Sequence, residues 1–288
     1  MPFYIFANEA KQMIELVGKV GSMALIDEEK KNIDYNVFAQ ISMCLKPGYV
    51  WVSSGATEIG RIDYIKRSNM ELDGEEEDNK TDYASQGQAI LMENYRRHVN
   101  SNYNLRQFLV EHQHFNNAEK REYLKKALER APAQNAIPII NYNDAVSDEE
   151  SRKLEIQSLK DRGKRTVECV DNDETASQIA CILKCKRLLI LTSVNGIYQN
   201  PGDPESLIPK ITAETIEELL QKVDLYGSTC KGASRKGAGG AAAKLSYVKE
   251  PLKNGTTVII ASSRYSIDDI LRGITPQTQI GLKLEEVA

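Results

Sequence analysis

The chain has 288 residues, 41% hydrophobic and 27% charged, a globular composition that excludes an intrinsically disordered polymer. Thirty-seven Lys and Arg against 41 Asp and Glu give a formal charge of −4, which excludes the broadly basic footprint of a nucleic-acid-binding domain. No apolar run approaches the roughly 18 residues that cross a bilayer. Residues 1–10 carry no basic segment leading into an apolar one, so neither a secretory signal nor a membrane partner is expected.

In chain order, short β-branched runs alternate with helix-forming stretches. Glu15–Val20 reads as a strand, Tyr35–Leu45 as a helix stopped by Pro47-Gly48, and Tyr49–Ser53 as a second strand. Asn69–Asp82, with Glu75 to Asp78 acidic in series, reads as a solvated loop. Helices are expected at Ala84–Val99 and Ala118–Arg130, and a strand at Ala136–Asn141. The polar segment Ser147–Arg165 fits either a surface helix or a mobile flap. A helix at Glu174–Leu183, a strand at Arg187–Thr192, a helix at Glu214–Val223 capped by Thr212, and a strand at Thr256–Ala261 complete the pattern. Most of these strands are apolar on both faces, as in a parallel sheet covered above and below by crossover helices. No repeat or flexible linker divides the chain, so one domain over 1–288 is expected. The five cysteines (Cys44, Cys169, Cys181, Cys185 and Cys230) are odd in number and scattered, and His98, His112 and His114 form no pair. Reduced thiols, no metal site and a cytoplasmic location follow as expectations.

Five segments carry candidate chemistry. Gly18-Lys19-Val20-Gly21-Ser22 ends the first strand, where glycine lets backbone approach an anion and Lys19 adds a compact positive charge. It lacks the spacing of a Walker A loop, and a purely structural turn fits equally. Val52-Ser53-Ser54-Gly55-Ala56 ends the second strand with small residues, the kind that open a ligand crevice at the edge of a parallel sheet. Ile140-Asn141-Tyr142-Asn143-Asp144 offers amides and a carboxylate to a small ligand, or forms an Asx-rich turn. Val170-Asp171-Asn172-Asp173-Glu174 opens a helix with crowded carboxylates, which need a helix-capping role or a nearby cation. Finally, Lys236 to Lys244 is a glycine-rich loop that runs into a small-residue helix, a phosphate cradle or a flexible loop.

The succession KVGS, VSSGA, PIINYND, VDNDE, LILTSVNGIY and GAGGAAAKL, in this order, resembles the amino-acid kinase family, and within it the glutamate 5-kinase branch, from about Glu15 to Gly273. The resemblance implies a three-layer αβα sandwich around a mostly parallel sheet. It implies an acceptor-binding lobe over about 1–165 and a nucleotide-binding lobe over about 166–288. The activity implied is ATP-dependent phosphorylation of the side-chain carboxylate of L-glutamate, the first step of proline synthesis, with Mg²⁺ accompanying ATP.

By position, Lys19, Asp173 and Lys244 take catalytic roles, the carboxylate aligning the two lysines. Lys19, Gly21, Ser22, Thr192, Ser193, Ala238, Gly239, Gly240 and Lys244 contact ATP. Ser54, Gly55, Asn141, Asp144, Asp171 and Asn172 bind the acceptor. A homodimer or tetramer is implied, and no RNA-binding PUA domain is expected after Gly273. The chain departs from the family pattern at Tyr142 (usually Glu), Val170 (usually Gly), Ser193 (usually Asp), Ala238 (usually Thr) and Ala241 (usually Met). Two other readings stay open: the same fold acting on another small acceptor, and a sensor that binds nucleotide or amino acid without turnover.

Overall fold

The computed structural model of the chain describes residues 14–163, 166–169, 171–200, 203–229 and 240–284. The first half runs β1 (Leu16–Val20), the hairpin β2 (Ile26–Asp27) and β3 (Asn32–Ile33), α1 (Tyr35–Cys44), β4 (Tyr49–Ser53), α2 (Ala56–Ser68), α3 (Glu76–His98), β5 (Asn104–Val110), α4 (Gln113–Asn116), α5 (Ala118–Glu129) and β6 (Ala136–Tyr142). The second runs α6 (Glu149–Asp161), α7 (Asn172–Leu183), β7 (Arg187–Thr192), β8 (Lys210–Ala213), α8 (Ile216–Thr229), α9 (Gly240–Tyr247), α10 (Lys249–Lys253), β9 (Thr257–Ser262), α11 (Ile267–Leu271) and β10 (Gln277–Leu282).

One eight-stranded sheet carries the order β5-β6-β4-β1-β7-β9-β10-β8. The six strands from β5 to β9 are mutually parallel, and β10 runs against β9 with β8 parallel to β10. The period-2 alternation of strand side chains splits the core into two. Val17, Val52, Ile140, Leu188 and Ile190 pack on one face with Leu128 of α5, Ile179 of α7 and Leu219 of α8. Leu16, Val20, Trp51, Ile139 and Leu191 pack on the other with Phe38 of α1, Ile59 of α2, Leu91 of α3 and Ile270 of α11. The architecture is therefore a three-layer αβα sandwich.

Several elements differ from the sequence reading, each for a physical reason. The acidic run Glu75–Asp78 opens α3 rather than forming a loop, because carboxylates in a first helical turn are favoured by the helix dipole. Arg96, Arg97 and His98 occupy the last turn, where the dipole favours cations. Thr212 lies in β8, and the Glu218 N–H donates instead to Thr215 Oγ at 3.3 Å, one turn closer to α8. Ser147–Arg165 contributes a helix, α6, capped by Asp148, which accepts from the N–H of Ser151 at 2.7 Å. Helix α2 and strands β5, β8 and β10 were not expected from pattern; β5 and β8 lie at the two edges of the sheet, where polar residues interrupt the apolar runs.

Helices α2 and α3 cross at glycines. A Cβ at Gly60 would lie 1.8 Å from the Tyr83 carbonyl oxygen, and one at Gly87 would lie 1.8 Å from the Ala56 carbonyl oxygen. This contact fixes the height of Gln88, the next residue of α3. Gly87→Ala is expected to lower unfolding free energy by about 3 kcal/mol, the upper end of overpacking costs, in urea denaturation. A loss under about 1 kcal/mol would show that the backbones are not in contact.

Candidate active site

Strand β1 is buried at every position, yet its fourth residue is Lys19, only 6% exposed. A buried ammonium is tolerated when paired. Its partner is Asp173, 5% exposed, with Lys19 Nζ 2.6 Å from Oδ1. The second carboxylate oxygen, Oδ2, lies 3.1 Å from Nζ of Lys244 in α9. Three elements far apart in sequence thus meet in one three-charge cluster at the edge of the sheet where the parallel strands end.

The position of Asp173 follows from its helix. Asp171 is the N-cap of α7, accepting from the N–H groups of Asp173 at 2.8 Å and Glu174 at 2.9 Å. Asp173 then falls in the first turn, where the helix terminus favours negative charge. Burial works against ionisation of Asp173, but the ammonium groups of Lys19 and Lys244 outweigh it and hold the carboxyl below its ordinary value. Burial, with the neighbouring Asp173 charge, pushes Asp171 the other way. The neighbouring pair of carboxylates therefore divides into a cap and a charged hub.

Around this hub stand the loops after β1, β4 and β7. Connections from β1 and β7 leave toward opposite sides of the sheet, so the cluster sits at a topological switch point, the usual crevice of open α/β sheets. Gly21 directs its N–H at the Leu191 carbonyl oxygen, 3.4 Å away, and Ser22 opens a short 3₁₀ turn. Ser54 donates its N–H to the Val20 carbonyl oxygen at 3.1 Å, and Gly55, at φ 107°, starts α2 in a conformation that favours glycine. Thr192 Oγ is engaged in its own turn, donating to the Val194 carbonyl oxygen at 2.8 Å, while Ser193 is exposed. Gly240 is the first residue of α9, one turn before Lys244. Ala238 and Gly239 lie outside the described residues, as do Val170 and Cys230.

Behind the hub runs a chain of buried amides. Asn172 Nδ2 donates to Ser54 Oγ at 3.1 Å and to Asn141 Oδ1 at 2.9 Å, and Asn141 Nδ2 donates to Gln88 Oε1 at 2.9 Å. Asn172 Oδ1 and Gln88 Nε2 are buried with no partner. Buried polar groups are nearly always paired, so this acceptor and this donor are exceptions within the chain of amides. Asp144 stands apart from the chain, beside Lys80 and Arg152, its carboxyl raised by burial and pulled back in part by those two cations. Among the described residues, no group of three or more His, Cys, Asp and Glu is placed to hold a metal ion. No helix among them is long and apolar enough to cross a membrane.

The structure thus brings together Lys19, Asp173 and Lys244, and separately links Ser54, Asn141 and Asn172, while Asp171 is a cap. Sequence reasoning missed Gln88, Lys80 and Arg152. Gln88 had a signal: a polar residue in register with Ala84, Leu91 and Tyr95 on the apolar stripe of α3. Lys80 and Arg152 had none, since a cation on a polar helix face is usually solvated.

A model of the amino acid kinase family matches residues 15–262. The glutamate 5-kinase of Streptococcus suis (strain 05ZYH33) is 30% identical over 261 residues, 86% of this chain and 64% of that protein. The glutamate 5-kinase of Alkaliphilus metalliredigens (strain QYMF) is 28% identical over 264 residues, 89% of each chain. Among solved structures, the carbamate kinase from Giardia lamblia bound to AMP-PNP aligns with a TM-score of 0.54 over 93% of this chain and 99% of that one, at 16% identity, a likeness of fold.

The buried cluster makes stability depend on pH in a stated direction. The folded carboxyl of Asp173 lies below its ordinary value of 3.8, so its contribution is whole at neutral pH. That contribution declines as pH approaches 3.8 and is lost as pH falls through the lowered folded value. Asp173→Asn, which leaves the buried ammonium of Lys19 and the half-buried one of Lys244 unpaired, is expected to cost about 3–5 kcal/mol at pH 7. Urea denaturation at stepped pH should show this cost shrinking toward pH 3; a cost that is the same throughout contradicts the assignment.

Proposed function

The chain belongs to the amino acid kinase family, and we propose that it transfers the terminal phosphate of ATP to the side-chain carboxylate of L-glutamate or a close acidic analogue. In this reading an acceptor carboxylate oxygen bonds to the γ-phosphorus while the bond from that phosphorus to the leaving ADP oxygen breaks. The products are an acyl phosphate and ADP. The observation that carries it is the single buried carboxylate of Asp173 holding the ammonium groups of Lys19 and Lys244 on one spot.

Phosphoryl transfer asks a protein mainly for positioning and for positive charge around the equatorial oxygens. Lys19 and Lys244 supply that charge, and Asp173 keeps both aimed. Bound with the nucleotide phosphates, its usual mode, Mg²⁺ would supply further neutralisation of charge there. Gly21, Ser22, Thr192, Ser193 and the segment from Ala238 to Lys244 form the nucleotide side, drawn mainly from residues after about 165. Ser54, Gly55, Asn141, Asp144 and Asn172 form the acceptor side, drawn mainly from residues before it. The unpartnered Asn172 Oδ1 supports this, because it offers an acceptor to a ligand N–H. Asp171 serves here through its cap, which places Asn172 and Asp173.

A different acceptor is the second reading, and one observation favours it: the side chain at Tyr142, where the family pattern has Glu, is buried beside Arg152. ADP release measured across L-glutamate, other acidic amino acids and carbamate separates the two readings. Turnover with L-glutamate above all others supports the first, and failure with glutamate beside turnover with another acceptor overturns it. Lys244→Ala is expected to lower turnover about 10²–10³-fold, the usual cost of one preorganised donor, with an unchanged circular dichroism spectrum. Unaltered phosphoryl transfer in that variant would remove Lys244 from the chemistry.

A further inference from the structure

The loop after β6, helix α3 and helix α6 enclose a small cleft lined by Glu77, Lys80, Asp144, Ser147, Glu149 and Arg152. Its acidic groups are largely spoken for. Glu77 accepts from the N–H of Glu149 at 2.7 Å, which ties α6 to α3, and Glu149 pairs with Lys153 at 2.7 Å. Lys80 and Arg152 form no ion pair among the described residues. Lys80 lies in helical register with Ala84 and Gln88, so it shares the α3 face that reaches the buried amide chain, about 12 Å farther along the axis.

Arg152 is held in place rather than left to solvent. Its guanidinium lies over the Tyr142 ring, 5.7 Å from the centroid, and the Tyr142 hydroxyl is fixed against Ser147 Oγ at 3.1 Å. A departure from the family pattern thus becomes part of a device: the aromatic at Tyr142 supports a cation delivered by helix α6. A half-buried guanidinium without a carboxylate partner is suited to a carboxylate ligand, which it binds through two parallel N–H bonds. Asp144, raised by burial, faces the same cleft and is suited to an ammonium group.

We propose that Lys80 and Arg152 form a carboxylate subsite that holds the α-carboxylate of an α-amino acid whose ammonium group faces Asp144. This rests on the reading of the chain as an amino-acid kinase and adds the groups that select the amino-acid head of the acceptor. It gives helix α6 a role beside Asp144: the helix brings one cation to the head group and lines the cleft around it.

Binding calorimetry on the full chain, with a non-hydrolysable ATP analogue and Mg²⁺ present, tests this apart from turnover. The probes are L-glutamate and γ-aminobutyrate, which keeps the side-chain carboxylate and the amino group but has no α-carboxylate. The wild type is expected to bind L-glutamate ten- to a hundredfold more tightly than γ-aminobutyrate, the range for a charge-assisted pair. Arg152→Ala and Lys80→Ala should each weaken L-glutamate about tenfold or more, leave γ-aminobutyrate unchanged and leave affinity for the nucleotide analogue unchanged. Arg152→Lys should recover part of the loss. Equal weakening of both probes would mean a merely structural role, and no weakening would mean no contact; either overturns the subsite, as does a wild type that fails to prefer L-glutamate. A variant that discriminates as expected in a chain that never releases ADP would keep the subsite and overturn the kinase reading instead.

Discussion

A carboxylate at the start of α7, buried between two ammonium groups, is the constraint around which the molecule is arranged. Lys19 sits in a strand covered on both faces, and such a strand accepts a charge only where a counter-charge meets it within hydrogen-bond reach. The counter-charge in turn requires α7 to begin at the edge of the sheet, which the Asp171 cap enforces. Lys244 then ties the last third of the chain to the first strand. Replacing the trio with apolar residues of similar volume would cost little in stability, since buried ion pairs seldom outweigh their desolvation. Their presence is better accounted for by chemistry than by folding.

The proposed acceptor side is organised by a different principle. Here the groups are neutral amides and a hydroxyl, linked from α3 through β6 to α7 and the end of β4, and held by burial of Gln88 and Asn141 and by their mutual hydrogen bonds. The glycine contact between α2 and α3 sets the height of Gln88, so a packing feature of two helices reaches the polar chain. Charge sits at the two ends of this arrangement, at the Lys19–Asp173–Lys244 hub and at the Lys80–Asp144–Arg152 cleft, with amides between. That alternation suits a short ligand with charge at both ends.

Much of this was legible in the sequence where burial dominates. The central strands β1, β4, β6, β7 and β9 are mostly apolar runs, broken in β1 by Lys19 and in β6 by Asn141, and their limits agree with the pattern to within a residue or so. The motif order pointed to the family, and the three charged residues it singled out do converge. What escaped has common causes. Edge strands such as β5 carry polar side chains and lose the apolar signature. Helix α2 begins directly after a glycine that reads as a turn, and its sequence is too polar to announce itself. The acidic run before α3 looks like a loop until the dipole of the helix it opens is considered. Gln88 is placed by a partner far along the chain, Lys80 by a cleft it shares with Asp144 and Arg152 by the Tyr142 ring, and no local pattern encodes those.

The central claim is that Lys19 and Lys244 act as one unit on one phosphoryl group. A double-mutant cycle with Lys19→Met, Lys244→Met and the combined variant, read as the rate of phosphate transfer from ATP to the acceptor in single turnovers, addresses it most directly. Residues that act as a unit are strongly non-additive, so the combined variant should be little slower than the slower single variant. Losses that simply multiply would show two ammonium groups acting independently, and the shared hub at Asp173 would lose its role.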